Sequence, residues 1–252
     1  MFSQYGELCT QVYNLTKPIG MSLGGDIEYY RERLSGVQGS VLEAAAGTGR
    51  VMVPLLEAGF LMEGMDSSPQ MLEICQRACT ERGFTPVLYN GRMEDISLPQ
   101  SYAAIIIPGG SFLLLEHREH SLQALQAFYR HLQSGGKLLL DLFLQTEFRT
   151  GIVNTSTFPA ADGAVITLEE KVVSVDWLNQ CKISHLRYEK WKEGVLLQTE
   201  LQYFPIQWFG MEEFKLMLKE AGFMDITISA GYRYNRKPDH AGQMITYEAV
   251  KP

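Results

Sequence analysis

Between residues 39 and 144, short apolar runs alternate without interruption with stretches of helical periodicity, and no other feature restricts the chain as much. The apolar runs are "SVLEAA" (40–45), "FLMEGMD" (60–66), "TPVLYN" (85–90), "YAAIIIP" (102–108) and "GKLLLDLFL" (136–144). The last two are nearly continuous, as expected of strands covered on both faces. Between the runs lie "GRVMVPLLEAG", "SPQMLEICQRACTERG" and "EHREHSLQALQAFYRHLQSGG", each closing on glycine as a helix stop. Strict strand–helix alternation predicts a doubly wound, mostly parallel sheet.

After residue 150 the texture changes. β-type segments run from 158 to 209, among them "AVITLEEKVVSVDW", "KISHLRYEKW" and "LLQTELQYFPIQWF", separated by the turn-like "WLNQ" and "KEG". They predict antiparallel hairpins. A helix, "GMEEFKLMLKEAGF", and two strands, "MDITISA" and "QMITYEAV", then return to α/β texture, bringing the main sheet to about seven strands. The expected organisation is a helical covering segment over 1–38, a ligand-binding core over 39–150, an antiparallel insertion serving as lid or platform over 151–209, and completion of the core over 210–252.

Charge and cysteine usage narrow the function. Against 22 basic residues stand 29 acidic ones, and no dense Lys/Arg run occurs, which disfavours a nucleic-acid partner. The opening "MFSQYGELCTQVYNL" contains an acidic residue and no long apolar stretch, so it reads neither as a signal peptide nor as a membrane span; a cytoplasmic location is expected. Cys9, Cys75, Cys79 and Cys181 form no CxxC pair and have no suitably spaced partners, so they read as packing thiols rather than metal ligands.

The first strand-to-helix turn carries the chemistry. In "VLEAAAGTGR" a carboxylate, Glu43, is followed by residues almost without side chains, so a ligand can approach the backbone closely. Such turns lie at the carboxyl ends of the strands, where doubly wound sheets bind ligands. Asp66 ends the second strand, where a carboxylate can accept two hydroxyl hydrogen bonds from a ribose. A dinucleotide fingerprint would need GxGxxG, but Gly47 and Gly49 are followed by Val51 and Met52 with no third glycine. Glu43 is also unwelcome beside a pyrophosphate. A cationic, phosphate-free nucleoside suits these residues better.

"VLEAAAGTGR" followed by "GMDSSPQML" resembles motif I and its partner in class I S-adenosylmethionine-dependent methyltransferases, especially the bacterial small-molecule group, which have a Rossmann-like fold. The resemblance continues through "GRMEDISLP", "IIIPGGSFLLL", "LQSGGKLLLDLF" and "EEFKLMLKEAGF", covering most of residues 39–225. It implies S-adenosylmethionine as cofactor and S-adenosylhomocysteine as product. Glu43 would serve the methionine portion, Gly47 and Gly49 would make backbone room, and Asp66 would take the ribose. Ser67 and Met71 would border the adenine, with the backbone N–H of Met93 offered to the ring. Pro108, Gly109 and Ser111 would lie beneath the sulfonium, and Tyr13 and Tyr30 would cover the cofactor.

Two positions depart from the pattern. Ala45 replaces a family glycine, which is tolerated where the backbone has negative φ. Arg92 stands where many members carry an adenine-binding Asp; a guanidinium has only donors, leaving it to stack on the ring or Glu94 or Asp95 to substitute.

At the reacting end His185, Tyr203 and Trp208 are the candidates for catalysis or for walling the acceptor pocket, while His117 and His120 in "EHREH" read as a solvated helix start. The expected activity is methyl transfer by in-line displacement to N, O or C of a small molecule, by a monomer or homodimer, without nucleic-acid or membrane partners. A non-catalytic S-adenosylmethionine-binding module and an NAD-dependent oxidoreductase are the alternatives. The base-methylating Asn/Asp-Pro-Pro-Tyr/Phe motif is absent, since the fourth strand ends "IPGGSF".

Overall fold

The computed structural model describes residues 5–252. The first four residues, part of the expected covering segment 1–38, lie outside the described residues.

Two short helices come first, α1 (Glu7–Thr16) and α2 (Asp26–Arg33). The alternating core follows as β1 (Val41–Ala44), α3 (Met52–Glu57), β2 (Met62–Asp66), α4 (Pro69–Glu81), β3 (Leu88–Asn90), β4 (Tyr102–Ile107), α5 (Arg118–His131) and β5 (Leu132–Phe143). Local chemistry starts α4 where the sequence indicates. Ser68 Oγ accepts a 3.2 Å hydrogen bond from the Met71 N–H, and Pro69 occupies the first turn, where its fixed φ is already helical.

One expected stop is corrected. The Gly135–Gly136 pair does not close α5, which ends at His131 and passes directly into β5. Gly135 N–H donates to Lys251 O at 2.8 Å and Lys251 N–H to Gly136 O at 2.9 Å. Hydrogen bonding to the far end of the chain thus makes the pair part of the sheet.

The insertion comprises β6 (Val153–Pro159), β7 (Val165–Asp176), β8 (Cys181–Lys192) and β9 (Val195–Gln207), and the chain ends with α6 (Met211–Glu220), β10 (Met224–Ala230) and β11 (Met244–Val250). Strand β6 begins five residues before the β texture read from the sequence.

Seven strands form the main sheet in the order β10-β11-β5-β4-β1-β2-β3. Strands β1 to β5 pair in parallel, and β11 joins β5 antiparallel. Side-chain alternation divides each buried strand between two cores. Ile105, Ile107, Leu138 and Leu140 pack with Leu125, Phe128 and Phe214 of α5 and α6 on one face. Ala104, Ile106 and Leu139 pack with Tyr30, Leu55 and Cys75 of α2 to α4 on the other. All four cysteines are buried, with free thiols.

Strands β6 to β9 form a separate antiparallel sheet, in that order. Its Ile166, Leu186 and Tyr188 pack on Leu8, Cys9 and Val12 of α1. Glu200 of β9 fixes this arrangement by accepting hydrogen bonds from the N–H groups of Leu8 (2.8 Å) and Cys9 (3.3 Å) at the start of α1. The helix start is thereby satisfied by a carboxylate, which also suits the positive end of the helix dipole.

Candidate active site

The order of the sheet reverses between β1 and β4, and a cavity of about 340 Å³ opens past the carboxyl ends of these strands. Ligand sites in open α/β sheets form at such a switch point.

At one end lies the turn after β1. Its backbone reaches positive φ at three alternating positions, Ala45 (65°), Gly47 (57°) and Gly49 (86°). The condition for easy replacement of a glycine at Ala45, a negative φ, is therefore not met: the alanine is held in the left-handed region, at roughly 1–2 kcal/mol of strain. Cross-strand bonding holds it there. Ala46 N–H donates to Met65 O at 2.9 Å, and Gly47 N–H donates to Asp66 Oδ2 at 2.8 Å. The other Asp66 oxygen accepts from the Ser68 N–H at 2.8 Å. Burial raises the Asp66 pKa, and these backbone donors oppose the shift. The Ser67 N–H also favours the carboxylate, and the two oxygens keep acceptor capacity for a ligand.

Ala45, Gly47, Asp66, Ser67 and Met71 line this end, as does Tyr13 from α1. Gly49 does not. A Cβ there would lie 2.8 Å from Cys75 Sγ and 3.1 Å from Val53 Cγ2, so this glycine lets α3 approach α4 instead of a ligand. Glu43 is also behind the cavity wall, 3% exposed, with Oε2 unpartnered among the described residues. Burial raises its pKa to about 8; Arg50 opposes this, and Asp26 and Asp66 reinforce it. Arg50 itself donates to Asp26 Oδ2 at 2.6 Å and to Met21 O at 2.8 Å, fastening residues 21–26 to the turn. Three of the six buried polar atoms without partners among the described residues, Glu43 Oε2, Thr48 Oγ1 and Arg50 Nε, fall within residues 43–50.

The wall beyond β3 includes Arg92, Met93 and Glu94. Arg92 Nε donates to Glu94 Oε1 at 2.6 Å, so the guanidinium is engaged by a buried carboxylate two residues away. Beyond β4 the chain makes a 3₁₀ turn, Pro108–Leu114. Ser111 reaches the cavity, whereas Pro108 and Gly109 do not line it. Gly109 instead donates its N–H to Asp141 Oδ2 at 2.8 Å. Asp141 is fully buried, also accepts from Tyr232 (2.9 Å) and Thr246 (2.7 Å), and has its pKa pushed up to about 6 by burial.

The far end joins the loop before α5 to strand β9. Glu116, His117 and His120 face Gln202, Tyr203 and Phe204 across it. The Tyr203 hydroxyl donates to Glu116 Oε1 at 2.5 Å, the two imidazoles stand 5.2 Å apart edge to face, and His120 Nδ1 is 4.0 Å from Glu94 Oε1. His117 is exposed at the cap of α5 and His120 lies in its first turn, so both stand at a helix start as expected; they also line the cavity, because this segment follows the carboxyl end of β4. That position was the available signal, since loops on this side of a parallel sheet carry ligand contacts. Glu116 shares that position, whereas Tyr5 and Gln202 had no comparable signal.

Three other residues are placed elsewhere. Tyr30 is wholly buried beneath the turn among Val51, Met52 and Leu55. His185 is the cross-strand partner of Tyr203 and not a lining residue. Trp208 stacks with Phe148 (4.9 Å) and Trp177 (5.7 Å) in an aromatic cluster away from the cavity, because its strand ends at Gln207 and the side chain follows the β7–β8 turn.

A switch-point cavity beside a glycine turn, in a mostly parallel seven-stranded sheet, places the chain in the Rossmann-like α/β class. Residues 41–136 match the family described as methyltransferase domain. The chain is 23% identical to the cypemycin N-terminal methyltransferase of Streptomyces sp, over 91% of each chain. Its fold is similar to an S-adenosylmethionine-dependent methyltransferase from Clostridium acetobutylicum (TM-score 0.75, 15% identity, 95% and 96% of the two chains). It is similar as well to the sugar N-methyltransferase KedS8 from Streptoalloteichus sp (TM-score 0.74, 21% identity, 100% and 97%). The chain is an S-adenosylmethionine-dependent methyltransferase. Among the described residues no helix is long and apolar enough to cross a membrane, and no cluster of His, Cys, Asp or Glu has metal-binding geometry.

Proposed function

We propose that the enzyme methylates a nitrogen atom of a small molecule. The observation that carries this reading is the composition of the switch-point cavity: a nucleoside-compatible end at Asp66 and Gly47 runs into an end bearing His117, His120 and Glu116. Nitrogen acceptors are protonated near neutral pH and need a group that removes a proton, which imidazole does best of all side chains there. The cypemycin relative is named for an N-terminal methylation and KedS8 for a sugar nitrogen, which supports the same reading.

The residues present fit S-adenosylmethionine. Asp66 borders the cavity with acceptor capacity for a ribose diol, Gly47 leaves its side-chain position open, and Glu43 keeps an unpartnered buried oxygen beside the turn. Asp66, Ser67, Met71, Met93 and Tyr13 would hold the adenosine, and Glu43 would hold the cationic amino-acid end through the turn. The bound cofactor supplies a methyl group already activated on a sulfonium. What remains for the protein is alignment, water exclusion and one proton transfer. Strand β9 and α1 close the cavity from above, and His117 or His120 takes the acceptor proton. Tyr30, His185 and Trp208 have no direct part in this reading, and Arg92 acts through its pair with Glu94.

Calorimetric titration with S-adenosylmethionine, S-adenosylhomocysteine and NAD tests the cofactor reading. Both adenosyl ligands are expected to bind and NAD is not. Binding of NAD alone overturns it.

A further inference from the structure

We infer that Glu116 is the residue that selects the acceptor, and that it selects a positively charged amine. This rests on the methyl-transfer reading above and adds the chemical class of the second substrate.

At the far end of the cavity the charges are unevenly matched. Glu94 is a carboxylate with a cation, since Arg92 holds its Oε1. Glu116 is a carboxylate without one. Its only hydrogen bond among the described residues is the one Oε1 accepts from the Tyr203 hydroxyl, at 2.5 Å, which leaves Oε2 free. Leu114, Leu115, Phe204 and Pro205 add apolar surface to this end, beside the imidazoles of His117 and His120. A half-buried carboxylate against such surface lacks part of its hydration, and an ammonium group would restore what is missing. A neutral hydroxyl offers one weaker hydrogen bond and an anionic acceptor is repelled.

Tyr203 is the positioning residue. Its hydroxyl hydrogen bond to Oε1 restrains Glu116, which lines the cavity, and leaves the other oxygen for a ligand. Burial, with Glu116 alongside, raises the Tyr203 pKa, so the phenol stays protonated and continues to donate. The strand that carries Tyr203 belongs to the inserted sheet and the loop that carries Glu116 to the core. Acceptor selection is therefore assembled only where the two sheets meet. An ammonium docked on Glu116 lies beside His117 and His120, one of which accepts its proton and leaves the nitrogen lone pair free. The proton moves from nitrogen to imidazole, and no other bond changes.

The test is calorimetric titration with benzylamine and cyclohexylamine, each against the matching alcohol, on the protein with and without S-adenosylhomocysteine. Wild type, Glu116→Gln, Glu116→Asp and Tyr203→Phe are compared. The wild type is expected to bind each amine about tenfold or more tighter than its alcohol near neutral pH. That preference should vanish in Glu116→Gln, return in part in Glu116→Asp, and fall several-fold in Tyr203→Phe. Unchanged affinity of Glu116→Gln for S-adenosylhomocysteine shows that the variant is folded. Equal binding of amines and alcohols by wild type, or an amine preference that survives Glu116→Gln, overturns the inference. Failure of the wild type to bind S-adenosylhomocysteine overturns the methyl-transfer reading alone, because the amine comparison on ligand-free protein still decides the role of Glu116.

Discussion

Asp66 at the end of β2 accepts a hydrogen bond from the backbone N–H of Gly47 at 2.8 Å, so a single carboxylate both shapes the glycine turn and borders the cavity. Its second oxygen holds the Ser68 N–H, which starts α4. Removing such a side chain breaks two charge-assisted hydrogen bonds, each worth about 1.5–3 kcal/mol, besides any contact to a ligand. Asp66→Ala is therefore expected to weaken S-adenosylhomocysteine binding by about 30-fold or more, equivalent to about 2 kcal/mol. Equal affinities of mutant and wild type by calorimetry would remove Asp66 from the site.

Gly47 and Gly49 stand two residues apart and separate cleanly. Around a Cβ at Gly47 nothing lies within 4 Å, whereas one at Gly49 meets Cys75 Sγ at 2.8 Å. Both have positive φ, so either substitution adds backbone strain of about 1 kcal/mol. Gly49→Ala also overpacks the α3–α4 contact, for a total loss of about 2–4 kcal/mol in stability. Gly47→Ala should fold with a loss nearer 1 kcal/mol and weaken the adenosyl ligand, because its methyl enters the cavity. Urea denaturation and calorimetry on the two variants distinguish them, and equal stability of both would contradict the assignment.

Ala45 gives the opposite case, a residue with a Cβ held at φ 65°. Ala45→Gly relieves the left-handed strain of roughly 1–2 kcal/mol and returns somewhat less in unfolded-state entropy. The net expectation is a stability gain of up to about 1 kcal/mol, or a few degrees in melting temperature for a chain of this size. A lower melting temperature for Ala45→Gly would show that the alanine methyl is packed to advantage.

How far the chain could be read from its residues follows from the range of the forces involved. Strands such as Tyr102–Ile107 and helices such as Pro69–Glu81 were legible because burial period and capping are local. So was the Asp66–Gly47 end of the cavity, where motif order sets the geometry. The conformation of Ala45 was not legible, because the hydrogen bonds of Ala46 and Gly47 to β2 impose it from another strand. Nor was the end of α5, decided by Lys251 over a hundred residues away. His185 and Tyr203 were both candidates and prove to be cross-strand partners, yet only Tyr203 lines the cavity. How the second sheet docks on the core is a long-range outcome with no local signature, and the Glu116–Tyr203 contact depends on it entirely.

Stability should fall as pH rises in the ligand-free enzyme, and two buried carboxyl groups set the window. Burial pushes Glu43 up to about 8 and Asp141 up to about 6. Unfolded carboxyls titrate near 4. Between the two values the native state holds protons that the unfolded chain has released, so stability declines with increasing pH. The contribution is fully present below about pH 4. The Asp141 part is lost as pH passes through about 6, and the Glu43 part as it passes through about 8. Glu43→Gln keeps a neutral side chain at every pH, and should flatten the decline between about pH 6 and pH 8 while leaving the Asp141 portion below it. Urea midpoints at about pH 5, 6.5 and 8 on both proteins measure this, and an unchanged slope in Glu43→Gln above pH 6.5 would show that Glu43 is ionised in the free enzyme. A cationic ligand at the turn favours the carboxylate, so S-adenosylmethionine binding near neutral pH should release protons, detected as a dependence of the calorimetric heat on the buffer's ionisation enthalpy. Glu43→Gln should abolish that dependence.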